Sequence, residues 1–252
     1  MNVCFFDLST GGKLDWDSVL SRVEKHRVIY VGEIHDLKAS HELQVKVIDA
    51  LVGRGYKVAV ALEMFQQNYQ KFLDEYTAGK LSEVEMLYLT EWHKNWGMDI
   101  SLYRDIWKYA REKSLKLLAI NIPTEFRKKV RDMTYSQMRK TQYLPPDLQE
   151  PDEEYIKYFR KMLGKHKGLD KEFDRMLRVM IAWDEGMAFS ISKFLKENPE
   201  YKVVVVVGYG HIYGRFGIPS RVERMTGERG FVFIPLLNIK EDLGNGDVGY
   251  CF

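Results

Sequence analysis

Two short turns and two glutamates hold the side chains of this sequence best suited to chemistry. Gly32-Glu33-Ile34-His35 and Gly208-Tyr209-Gly210-His211 each present an imidazole three residues after a glycine, and Glu63 stands in Leu62-Glu63-Met64-Phe65. Two imidazoles with one or two carboxylates form a sufficient ligand set for Zn, Mn or Fe and leave positions for water. His35, His211 and Glu63 are the metal-ligating candidates on that chemistry. A remaining glutamate would serve as general base on metal-bound water. Without a metal, a Glu–His pair can perform acid–base chemistry near neutral pH. Glu33 and Glu63 are therefore the catalytic candidates if the protein is a hydrolase.

These residues need strands to bring them together. Apolar runs rich in β-branched residues occur at Val28–Val31, Val58–Leu62, Leu117–Ile120, Val203–Val207 and Phe231–Ile234. All are continuous rather than alternating, as in strands buried on both faces of a parallel sheet. Longer helical patterns lie between them, the first with Leu43, Val47, Ile48 and Leu51 on one face and closed by Gly53-Arg54-Gly55. Two or three helical stretches fill residues 65–112. From 124 to 198 no strand-like run appears; charged helical patterns take over, broken at Leu144-Pro145-Pro146-Asp147 and from Gly164 to Gly168. The expectation is one domain over 1–252, a three-layer α/β/α fold with a mainly parallel central sheet and a helical insertion, 124–198, before the last core strands.

Four of the five strands then end on polar residues: Glu33 and His35, Glu63, Asn121, and the turn to His211. In an open parallel sheet, ligands bind beyond the carboxyl ends of the strands. Each residue alone also suits an ordinary turn, and the glycines suit tight strand-to-helix connections. Four strands doing this together predict a shared pocket of Glu33, His35, Glu63 and His211. Because both histidines follow turns, removing either should cost about 0.5–1 kcal/mol if it lies at the surface.

Other motifs narrow the chemistry by failing. His41-Glu42-Leu43-Gln44-Val45 begins like a zincin HExxH but has Val at the second His position. Gly208-Tyr209-Gly210 is no dinucleotide fingerprint, Gly11-Gly12-Lys13-Leu14 is no phosphate loop, and no GxSxG elbow occurs. Aromatic residues crowd the stretch from Tyr88 to Tyr109. Most have helical spacing and suit packing against the sheet, while Trp92-His93-Lys94-Asn95-Trp96-Gly97 reads as a loop. Such a surface could also stack a flat ligand such as a porphyrin. The basic run Arg127-Lys128-Lys129-Val130-Arg131 reads as a solvated helix face.

Composition excludes more than it identifies. Among 252 residues, 38 basic and 36 acidic side chains leave a net charge of +2, too balanced a field to draw in nucleic acid. The apolar content of 45% rules out disorder. No run approaches the ~18 apolar residues of a membrane span, and residues 1–6 lack the features of a signal peptide. The chain as it stands reads as cytoplasmic, or as periplasmic or exported if a leader has been removed. Cys4 and Cys251 pair only if the chain ends meet in space.

The quoted residues resemble the ChaN-like haem-binding uptake family, in a superfamily shared with Tiki-type metalloproteases and erythromycin esterases. The resemblance rests on the two GxxH motifs and Glu63. His35-Asp36 with His41 and Gln44, Asn121-Ile122-Pro123, Asp184-Glu185-Gly186-Met187-Ala188, and Gly217-Ile218-Pro219 add to it. It spans about residues 5 to 225. It implies an α/β/α core with a helical insertion, and haem or iron as ligand; the family signature does not fix an axial ligand, for which Tyr209, Tyr213 and His93 are candidates by residue type, with Trp96 of the aromatic stretch as a stacking contact. It also implies the alternative of ester or peptide hydrolysis at the same GxxH and glutamate site, with a divalent metal (Fe, Zn or Mn) as cofactor. The partner expected is haem or another small molecule, with no transmembrane segment and with a homodimer left open.

Overall fold

The computed structural model describes residues 3–163 and 170–252, so the predicted break from Gly164 to Gly168 lies outside the described residues. The strands are β1 (Cys4–Asp7), β2 (Lys13–Leu14), β3 (Val28–Glu33), β4 (Lys57–Gln66), β5 (Lys116–Asn121), β6 (Tyr201–Gly208), β7 (Phe231–Pro235) and β8 (Val248–Cys251). They form one sheet in the order β2-β1-β8-β7-β3-β6-β4-β5. The six from β8 to β5 run parallel, and β1 and β2 are added antiparallel at one edge.

Every predicted strand is present, and burial on both faces explains the continuous apolar runs. Along β3, Ile29 and Val31 pack with Leu43, Val47, Ile48 and Leu51 of the helix Lys38–Gly53. Val28 and Tyr30 face the opposite layer, where the helix Asp170–Glu197 supplies Met187, Ala188, Ile191 and Leu195. Alternate residues therefore serve alternate layers, giving the three-layer α/β/α arrangement. Between β5 and β6 the described residues form the helices Thr124–Val130, Tyr135–Met138, Glu153–Leu163 and Asp170–Glu197, with an apolar cluster of their own around Ile122, Leu144, Phe159 and Ile181. Among the described residues, no helix is long and apolar enough to cross a membrane.

Three features depart from the sequence expectation. The short strands β1, β2 and β8 carry too few apolar residues to stand out. Their register sets Cys4 opposite Cys251, and the two form a disulfide with Cα atoms 5.1 Å apart. The predicted loop at Trp92–Gly97 contains one helical turn, Trp92–Asn95, entered through Glu91 at φ 51° and left through Gly97 at φ 76°. Its Trp92 is buried against Tyr103 and Trp107, and its indole donates to the Met98 carbonyl at 2.9 Å. Finally, β4 runs three residues past Glu63, with its register against β5 shifting between Leu62 and Gln66.

Candidate functional site

Sheet order brings the polar residues together. β3, β6 and β4 are neighbours, and Glu33 pairs directly with Gly208 across the β3–β6 ladder. Strand alternation then sends Glu33 into one helical layer and Glu63 into the other.

Glu33 is 1% exposed and fully engaged. Its Oε1 accepts from the Tyr103 hydroxyl and lies 2.8 Å from His35 Nδ1, while its Oε2 accepts from Gln44 Nε2 at 2.7 Å. His41 backs this network, 3.1 Å from the Gln44 amide oxygen and 3.0 Å from the His35 carbonyl. The outcome is a single orientation for His35, with Nδ1 tied to Glu33 and Nε2 without a partner among the described residues. Trp96 stands edge-on to this imidazole at 4.9 Å. Burial works against the charged form of His35, but the hydrogen bond to Glu33 and the field of Glu63 outweigh it and raise its pKa.

Glu63 anchors the second half. It too is 1% exposed; its Oε2 accepts from the Gly208 amide at 2.6 Å, and its Oε1 lies 3.3 Å from His211 Nε2. The other imidazole nitrogen, Nδ1, is 2.7 Å from Asp184 Oδ1, and Asp184 Oδ2 accepts from the Tyr155 hydroxyl at 2.9 Å. His211 is thus an imidazolium between two carboxylates. Burial opposes its charge, yet Glu63 and Asp184 prevail and push its pKa up to about 10. Glu63 responds in kind: burial would raise it, but the His211 charge brings it below the usual carboxylate range. The Asn121 amide donates to the Glu63 carbonyl at 2.8 Å, supporting β4 where its register shifts.

Gly208 joins the two halves. A Cβ there would stand 2.8 Å from His35 Cε1 and 3.4 Å from Glu63 Oε2, so only glycine lets the imidazole close over the backbone.

The structure brings Glu33, His35, Glu63 and His211 together, with Trp96 at the rim. Both nitrogens of His211 and both oxygens of Glu63 have protein partners in this arrangement. Among the described residues, no group of three His, Cys, Asp or Glu side chains is disposed to hold a metal ion. His211 does not lie at the surface, the situation for which cheap removal is expected: its side chain is 9% exposed and flanked by two carboxylates. His93 sits apart, exposed on the turn Trp92–Asn95.

Tyr209 and Tyr213 lead to a neighbouring slot of about 330 Å³, lined also by Tyr158, Met162 and Leu237. The Tyr213 hydroxyl is held by the Glu241 carbonyl and Asp242 Oδ1, whereas no described residue engages that of Tyr209. Tyr158 and Tyr213 stack at 6.3 Å, and Leu237 is 62% exposed at the mouth. The slot is lined by aromatic and aliphatic side chains together with Lys161, Asn238, Glu241 and Asp242, and a phenol oxygen without a partner among the described residues is a group that can ligate iron.

Sequence reasoning gave no role to three residues that shape the site. Asp184 was visible only as part of a motif, and Tyr103 only as one aromatic among many. Arg127 was assigned to a solvated face with Lys128 and Lys129. Those two lysines are exposed, but Arg127 is half-buried, its guanidinium carbon 4.4 Å from the centre of the Trp183 ring. Trp183 in turn meets His211 edge-on at 5.0 Å.

With this geometry in view, comparisons place the chain among known proteins. No curated protein sequence gives a significant match. Among solved structures, one describing cofacial haem binding to ChaN of Campylobacter jejuni superposes with a TM-score of 0.78 at 19% identity, covering 98% of this chain and 96% of that one. The erythromycin esterase mutant EreC H289N matches with a TM-score of 0.53 at 16% identity over 92% of this chain and 76% of that one. The type III effector HopBA1 does so with 0.53 at 13% identity, over 92% and 90%. These likenesses concern the fold. The sequence profile described as "Haem-binding uptake, Tiki superfamily, ChaN" matches residues 19–222, and it is to this family that the chain belongs.

Proposed function

We propose that this protein binds haem at the carboxyl ends of its parallel strands, with the porphyrin entering the slot beside Tyr209 and Tyr213. The slot itself carries the reading: three tyrosines, Met162 and Leu237 give it a mostly apolar surface beside Lys161, Asn238, Glu241 and Asp242, Leu237 is exposed, and it holds a phenol oxygen that no described residue occupies. Membership of a haem-binding uptake family supports it. Bound haem would supply a Lewis-acidic iron, and Tyr209 is the ligand this geometry favours. His35, with its Nε2 free among the described residues, closes over Gly208, the residue immediately before Tyr209.

The test is a haemin titration of the purified protein followed in the Soret region. A saturable change is expected, and Tyr209→Phe should weaken it and shift the Soret maximum. A linear, unsaturable response like that of an unrelated protein would overturn the proposal.

One observation favours a second reading, a hydrolase acting on ester or peptide bonds. Two histidine–carboxylate pairs, His35–Glu33 and His211–Asp184, flank Glu63 at this edge. In that case His35, with a free nitrogen and an orienting carboxylate, would be the general base in place of either buried glutamate. Turnover of an ester or amide that is lost in His35→Gln would support it.

A further inference from the structure

We infer that Arg127, stacked on Trp183, holds a carboxylate of the bound ligand, which for haem is a propionate; this rests on the haem reading above. Arg127 lies in the helix Thr124–Val130, which begins three residues beyond β5 at the same edge as the candidate site. That edge is fixed locally: the Gln66 amide donates to Thr124 Oγ1 at 2.8 Å and accepts from the Thr124 backbone amide at 3.1 Å. The guanidinium carbon then lies 4.4 Å from the centre of the Trp183 ring, and Trp183 meets His211.

No carboxylate pairs with Arg127 among the described residues. Glu63 is within electrostatic reach, but its oxygens are spent on His211 and the Gly208 amide. Burial lowers the pKa of Arg127, and Glu63 only partly offsets it. A half-buried cation with no partner gains most from an anion that brings its own charge to the site. The Trp183 indole nitrogen, buried and without a partner among the described residues, adds a second unused donor on the side chain that Arg127 covers. A planar fork fixed on an aromatic ring suits a carboxylate better than a lysine would.

Arg127 and Tyr209 stand at the same edge of the sheet: Tyr209 follows β6 directly, and the helix that carries Arg127 follows β5, two strands away in the order β6-β4-β5.

The experiment compares haemin with haemin dimethyl ester, whose propionates are neutral, in Soret titrations of wild type, Arg127→Gln and Arg127→Lys. Wild type should bind the ester about tenfold or more weakly than haemin. Arg127→Gln should lose about the same factor for haemin and leave the ester within about twofold. Arg127→Lys, keeping charge without the fork, should recover only part of the loss. Equal binding of both probes to wild type would overturn the inference, and this arm stands even if a variant folds poorly. Equal loss of both probes in Arg127→Gln would also overturn it, since Arg127 would then only shape the cleft. Failure of wild type to bind haemin at all would instead bring down the haem reading on which the inference rests.

Discussion

His35 and His211 close the same four-residue motif, each just beyond a central strand, yet the fold gives them opposite situations. The His211 side chain is 9% exposed, with Asp184 on one nitrogen and Glu63 on the other. That of His35 is 37% exposed and engaged through Nδ1 alone. The second GxxH turn therefore stores a charged histidine inside a carboxylate cage, while the first leaves one nitrogen without a partner among the described residues. A shared motif fixes where an imidazole emerges from the sheet. Whether it becomes part of the scaffold or meets the ligand depends on which carboxylates the helical layers bring to it.

The contrast breaks most sharply on stability. Removing His211 leaves Glu63 and Asp184 buried without their cation, so His211→Ala should cost about 3–5 kcal/mol. Urea unfolding would show this, and a midpoint near wild type would erase the distinction between the turns.

Next in size is a pH effect carried by the same pair. The pKa of His211 rises from its ordinary 6.5 to about 10 on folding. Its contribution is fully present below about pH 6.5 and is lost as pH rises through about 10. Glu63, lowered from 4.5, works the other way: its contribution is present above about pH 4.5 and is lost as pH falls through its folded pKa. The unfolding free energy should decline steadily between pH 7 and 10, and Asp184→Asn should flatten that decline. A flat profile in wild type would mean that His211 is not held as a cation.

The smallest stability change should come from His35→Ala, within about 1 kcal/mol for a side chain this exposed. Haemin affinity should nevertheless fall, because the imidazole packs against Gly208, the residue immediately before Tyr209. A variant that melts several degrees lower, or binds haemin unchanged, would make His35 another scaffold histidine.

Much of this was legible in the sequence, and the rest shows where local pattern stops. Runs such as Val203–Val207 declare a doubly buried strand through composition alone, and the polar residues at their ends declare an edge. The cage around His211 cannot be read this way. Asp184 lies 27 positions away in a long helix, and only docking of that helix against β6 turns its carboxylate toward the imidazole. Arg127 was misplaced for a similar reason: in sequence it belongs to a basic run, and only the position of Trp183 separates it from Lys128 and Lys129. The pairing of Cys4 with Cys251 depends on a register between chain ends that no local spacing encodes.

The most direct test follows the imidazole nitrogens of both histidines by nitrogen-15 NMR across pH 6 to 9, with and without haemin. His211 should stay doubly protonated throughout, while ferric haemin should broaden the His35 resonances far more than those of His211. If His211 instead titrates near 6.5, or haemin leaves His35 unperturbed, the division between a caged and a ligand-facing histidine is wrong.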